Sequence, residues 1–188
     1  MTMLFIGDIK DWCHGKNWTW RIGLLLFFIY LGVRYLVDPA YYSFFGGANL
    51  GVHELGHILF GFLGQFMAVA GGTITQLAAP IICAVMFWRQ PDYFAISLAG
   101  VWLATNLYGV AVYVADAQNM ELPLVSVGGG EVYHDWEYML STLNILYLNG
   151  QIAQAFRITA LLLMWLSIAY GCWIVWLMIR SLKPADKS

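Results

Sequence analysis

His53, Glu54 and His57, the ionisable residues of the stretch GVHELGHILF, have the types and spacing of a metal site with its own general base. On a helix, positions i and i+4 share a face. Both imidazoles can then offer a nitrogen to one tetrahedral zinc at about 2.0–2.1 Å. Glu54, beside the first of them, reaches water at such a metal rather than the metal itself, which is where a base is needed. The setting strengthens the reading. From Pro39 to Trp88 the only formal charge is Glu54, and ionisable groups inside an apolar helix are costly enough to mark a functional site.

A catalytic zinc takes three protein ligands and leaves one position open. Of the 4 histidines, His14 lies near the N-terminus and His134 lies in VYHDWEYML with Asp135 and Glu137. Asp135 is the expected third ligand, because a carboxylate offsets the charge of the ion. His134 could orient it or replace it, and Glu131 is a further candidate. The competing reading makes Asp135 a helix N-cap. Cys13, Cys83 and Cys172 show no paired spacing that would support a ligand role, and Cys83 and Cys172, in apolar segments, are read as inert.

These residues need a scaffold, and composition says of what kind. The 188 residues are 61% hydrophobic and 11% charged, with a net charge of −2. Soluble domains carry about a quarter charged residues. The balance excludes a water-soluble globule, a disordered chain, a disulfide scaffold and a nucleic-acid module, and makes the lipid bilayer the first partner. The expected fold is all-α and polytopic, with about six transmembrane or partly re-entrant helices around the HExxH helix. Uncharged runs place those helices near 18–37, 50–70, 73–88, 93–115, 134–148 and 151–182. Residues 1–17 are expected as a retained interfacial segment, 18–182 as a single membrane domain and 183–188 as a tail.

Arg180, Lys183 and Lys187 place the C-terminus in the cytoplasm, and Lys10, Lys16 and Arg21 place the N-terminus there too. Both ends on one side require an even number of crossings: six, or four with re-entrant pieces, six being expected. One geometric problem follows. If residues 73–88 cross, the fourth helix ends opposite the start of the HExxH helix. The loop 116–133 must then carry Asp135 back, unless 73–88 is re-entrant. Gly46-Gly47, Gly71-Gly72 and Gly128 to Gly130 are where the backbone is expected to bend around a cavity or end a helix.

HELGH in an apolar helix resembles the site-2 protease family of intramembrane zinc metallopeptidases. Ser97-Leu98-Ala99-Gly100, followed by Asn106, is similar to that family's middle LAGPxxN-type element, with Val101 in place of proline and Asn106 two residues late. The later LDG-type motif is replaced by His134-Asp135-Trp136, and the resemblance covers roughly residues 50–147. It implies zinc held by His53, His57 and Asp135, Glu54 as general base and a membrane-protein substrate cut in or near a transmembrane segment. Asn106 would donate to the oxyanion, or alternatively bond a neighbouring helix. The competing class is a non-catalytic, zincin-like subunit of a membrane complex.

Overall fold

The computed structural model describes residues 2–123 and 134–181, with side chains from Gly7 onward. Glu131, Gly128 to Gly130 and the tail 183–188 lie outside the described residues. Among the described residues there are seven α-helices: α1 (Thr2–Cys13), α2 (Thr19–Val37), α3 (Gly46–Phe60), α4 (Gln65–Arg89), α5 (Tyr93–Asp116), α6 (Asp135–Thr142) and α7 (Asn149–Arg180). Four of them, α2, α4, α5 and α7, are long and apolar enough to cross a bilayer, with mean hydropathies of 1.6, 1.7, 1.5 and 2.0. Among the described residues every regular element is helical, and these four helices suit a chain that sits in a bilayer.

The expected count of six spans gives way to four among the described residues. At 1.5 Å per residue the 15 residues of α3 extend only about 22 Å, short of the roughly 30 Å hydrocarbon core. The 8 residues of α6 are shorter still. Nor does the apolar run 50–70 form one helix. It ends at Phe60, passes through a 3-10 turn at Gly61–Leu63, and reverses at Gly64, whose φ of +94° suits a residue without a Cβ. Gly71 and Gly72, expected at a helix end, lie inside α4. Hydropathy registers apolar content and cannot see a positive φ.

The core is built on α5, most of whose side chains are buried. α7 packs antiparallel to it. Ser97 Oγ donates to the Ser167 carbonyl at 2.8 Å near one end, and Asn149 Nδ2 donates to the Ala115 carbonyl at 3.0 Å near the other. Small residues permit the approach: a Cβ on Gly100 would stand 2.2 Å from Ser167 Oγ. α2 runs in the same direction as α5, with Arg21 5.5 Å from the Phe94 ring and Tyr35 stacked on Tyr108 at 4.3 Å. α1 sits at the end where α7 finishes, where Ser181 Oγ donates to the Cys13 carbonyl at 3.4 Å and Trp12 packs edge-on to Tyr93 at 5.5 Å.

The placement of α3 answers the geometric problem posed by the sequence. Trp102 Nε1 donates to Asn49 Oδ1 at 2.7 Å, and further along both helices His53 meets Tyr113 at 6.2 Å between ring centroids. α3 therefore rises in the same direction as α5, as α2 does. Between α2 and α3 the chain doubles back through residues 38–45, with Tyr41 turned against Tyr35 at 5.5 Å and beneath the Arg34 guanidinium. The piece that doubles back is thus 38–60, while 73–88 lies inside the long apolar helix α4. Since α3 and α5 finish toward the same end, Asp135 needs no return across the membrane.

A candidate metal centre

α3 and α4 cross with their backbones nearly in contact. A Cβ on Gly56 would stand 2.2 Å from the Gly71 carbonyl oxygen, and one on Gly72 would stand 2.6 Å from His53 Nε2 and 2.8 Å from His57 Cε1. Only hydrogen at residue 72 leaves room for both imidazoles, whose ring centroids are 4.8 Å apart. Here Gly71-Gly72 serve helix approach and ring seating.

Into this notch the start of α6 brings Asp135. Its Oδ2 lies 2.8 Å from His53 Nε2 and 3.4 Å from His57 Nε2. One ligand atom from each of the three residues lies within 4.8 Å of the others, so the group could hold a metal ion. His53 and Asp135 are buried and His57 is half-buried. The far nitrogens are committed elsewhere: His53 Nδ1 donates to Gln76 Oε1 at 3.0 Å, and His57 Nδ1 donates to the Ala68 carbonyl at 2.9 Å. An oxygen acceptor at Nδ1 fixes the proton there and leaves Nε2 to face the cluster, the outer support that metal-bound histidines characteristically have. Two imidazole nitrogens and a carboxylate are a donor set that suits zinc.

Two nitrogens this close to one carboxylate oxygen need either hydrogen bonds or a metal ion between them and it. In the metal-free chain they are hydrogen bonds. The hydrogen bond that His57 donates to Asp135, working against burial and helped by the Ala68 carbonyl, raises the His57 pKa from 6.5 to about 9. For Asp135, burial alone would raise the carboxyl, but the hydrogen bonds from His53 and His57 outweigh it and hold it below its usual value.

The other sequence candidates separate cleanly. Asp135 is not the N-cap of α6, because His134 is: its Nδ1 accepts from the Glu137 amide at 3.1 Å. The other His134 nitrogen lies 3.3 Å from Asp116 Oδ2, so this ring faces away from the cluster. The Asp135 amide donates instead to the Tyr113 hydroxyl at 3.0 Å. Glu137 accepts from Ser141 on the surface of α6. Asn106 is fully buried and donates to the Trp102 carbonyl one turn back on its own helix at 3.0 Å. It is not among the residues lining the cavity beside the cluster.

That cavity, of about 630 Å³, is walled by His53, Glu54, His57 and Asp135 on one side and by Tyr35, Tyr41, Tyr42 and Tyr108 toward the doubled-back segment. Glu54 therefore shares a space with the cluster. Tyr113 is three residues before the end of α5 and Ala68 lies in the first turn of α4, so the cluster sits near one end of the bundle. Two contributors carry little local signal. Gln76 is a lone amide in an apolar run, a pattern that ordinarily marks a bond between helices. Tyr113 was one aromatic among 31 Phe, Tyr and Trp residues and carried no signal.

Comparison with family models, with curated proteins and with solved structures returns no match to this chain.

Proposed function

We propose that the chain is an intramembrane zinc metallopeptidase that hydrolyses a peptide bond in or near a transmembrane segment of another membrane protein. The observation carrying this reading is the convergence of His53 Nε2 and His57 Nε2 on Asp135 Oδ2, with both Nδ1 atoms held by oxygen acceptors. His53, His57 and Asp135 would hold the ion. Bound there, zinc would supply Lewis acidity toward a carbonyl and make water a better nucleophile near neutral pH.

The remaining work falls to the chain's own residues. Glu54, on the cavity wall, takes a proton from the attacking water and passes it to the leaving nitrogen. Gln76 and Ala68 keep both imidazoles in the competent tautomer. The tyrosine wall gives an apolar segment a place to lie while backbone at that depth stays inside a protein cavity. The position of the cluster near one end of the bundle favours a bond close to the membrane surface over one at the midplane.

The test is Glu54→Gln. The variant should keep one zinc per chain and lose cleavage of membrane substrates in cells or proteoliposomes. If wild type and variant both bind zinc and leave the same processing pattern, the chain is a metal-bearing subunit and not a protease.

A further inference from the structure

We infer that Tyr113 is the hydrogen-bond donor to the substrate's carbonyl oxygen, the role that the resemblance implied for Asn106. This inference rests on the metallopeptidase reading above. Tyr113 lines the cavity that His53, Glu54, His57 and Asp135 share. Its ring lies 6.2 Å from that of His53 and 4.3 Å from that of His134, which clamp it from two sides. The hydroxyl oxygen accepts from the Asp135 amide at 3.0 Å. An accepting hydroxyl still has its own proton to give, and no hydrogen bond donated by Tyr113 is found among the described residues.

Among the described residues the geometry thus leaves the Tyr113 O–H uncommitted beside the cluster, anchored through the main chain of the proposed third ligand. Asn106 is not placed to do this, since it stands off the cavity wall, with one amide N–H on the Trp102 carbonyl of its own helix. In the step considered, water oxygen bonds to the carbonyl carbon and the carbon–nitrogen bond breaks. The proton leaving water travels through Glu54 to the departing nitrogen. Tyr113 keeps its proton throughout, and its hydrogen bond strengthens as negative charge gathers on the carbonyl oxygen.

The experiment compares wild type with Tyr113→Phe, both purified whole in detergent and loaded with cobalt, whose visible spectrum reports ligands. The first probe is phenylphosphonate, a tetrahedral anion that can bind the metal through one oxygen and present another to the phenol. The second is a simple thiolate, which binds through sulfur alone. Loss of one hydrogen bond to a charged oxygen should weaken phenylphosphonate by about ten- to a hundredfold. Metal stoichiometry and thiolate affinity should stay within about threefold, the tolerance expected where no bonded group is lost. Equal phenylphosphonate affinity in both proteins, with metal retained, would overturn the donor role alone. Loss of metal in Tyr113→Phe would also overturn it, showing that Tyr113 only positions Asp135. A wild-type chain that takes up no metal contradicts the metal centre itself, and the donor role falls with it.

Discussion

Gly72 gives His53 the space its ring needs: a Cβ at that position would stand 2.6 Å from His53 Nε2. The proposed metal centre therefore depends on a residue with no side chain, on a different helix from the histidines. Gly72→Ala should cut metal affinity at least tenfold while the helical content measured by circular dichroism stays near wild type, because displacing a ligand by a fraction of an ångström spoils coordination geometry. Unaltered affinity would mean that the rings are free to shift.

The outer hydrogen bond to His53 gives a second prediction. Gln76→Leu keeps approximate volume and removes the Nδ1 acceptor that now lies at 3.0 Å. Metal affinity should fall by about 10–100-fold, the usual cost of losing an outer-shell partner. Competition with a chromophoric chelator measures this directly.

Adjacent residues on α6 should behave oppositely. Asp135→Ala removes the proposed third ligand and should abolish stoichiometric metal binding. His134→Ala removes the helix cap at Glu137, costing about 0.5–2 kcal/mol of stability, yet should leave metal stoichiometry unchanged. Thermal unfolding and metal analysis of the two variants separate the roles.

Acidity should act with opposite sign on the metal-free and metal-loaded protein. The His57 pKa, raised to about 9 by Asp135, contributes stability that is complete below the ordinary imidazole value and fades as pH rises through 9. The lowered pKa of Asp135 contributes above the ordinary carboxylate value and is lost as pH falls through its folded value. The metal-free chain is then best stabilised by this pair at mildly acid pH. Metal must displace the His57 proton, so affinity should instead rise by about tenfold per pH unit from 7 toward 9. Melting temperature and metal affinity measured across that range should move in opposite directions.

The sequence disclosed the all-helical membrane character and the two histidines, because composition and an i, i+4 spacing are local properties. It also led to Asp135, through the reasoning that an ion held by two neutral imidazoles calls for a carboxylate. The number of crossings was not legible in the same way. An apolar run from Leu50 to Ala70 reads the same whether it crosses or turns, and the turn depends on the positive φ at Gly64. The direction of α3 was hidden for a related reason. It follows from the 38–45 segment folding back onto Tyr35, a tertiary packing event with no local pattern. Gln76, Gly72 and Tyr113 belong to the site only through contacts between helices far apart in sequence.

Everything proposed for the chain turns on whether His53, His57 and Asp135 hold one metal ion. The deciding measurement is the metal content of the protein purified in detergent without chelator, set beside His57→Ala and Asp135→Ala prepared identically. One zinc per wild-type chain and almost none in either variant is the expected result. Wild-type protein free of metal after exposure to zinc, or variants that retain a full equivalent, would contradict it.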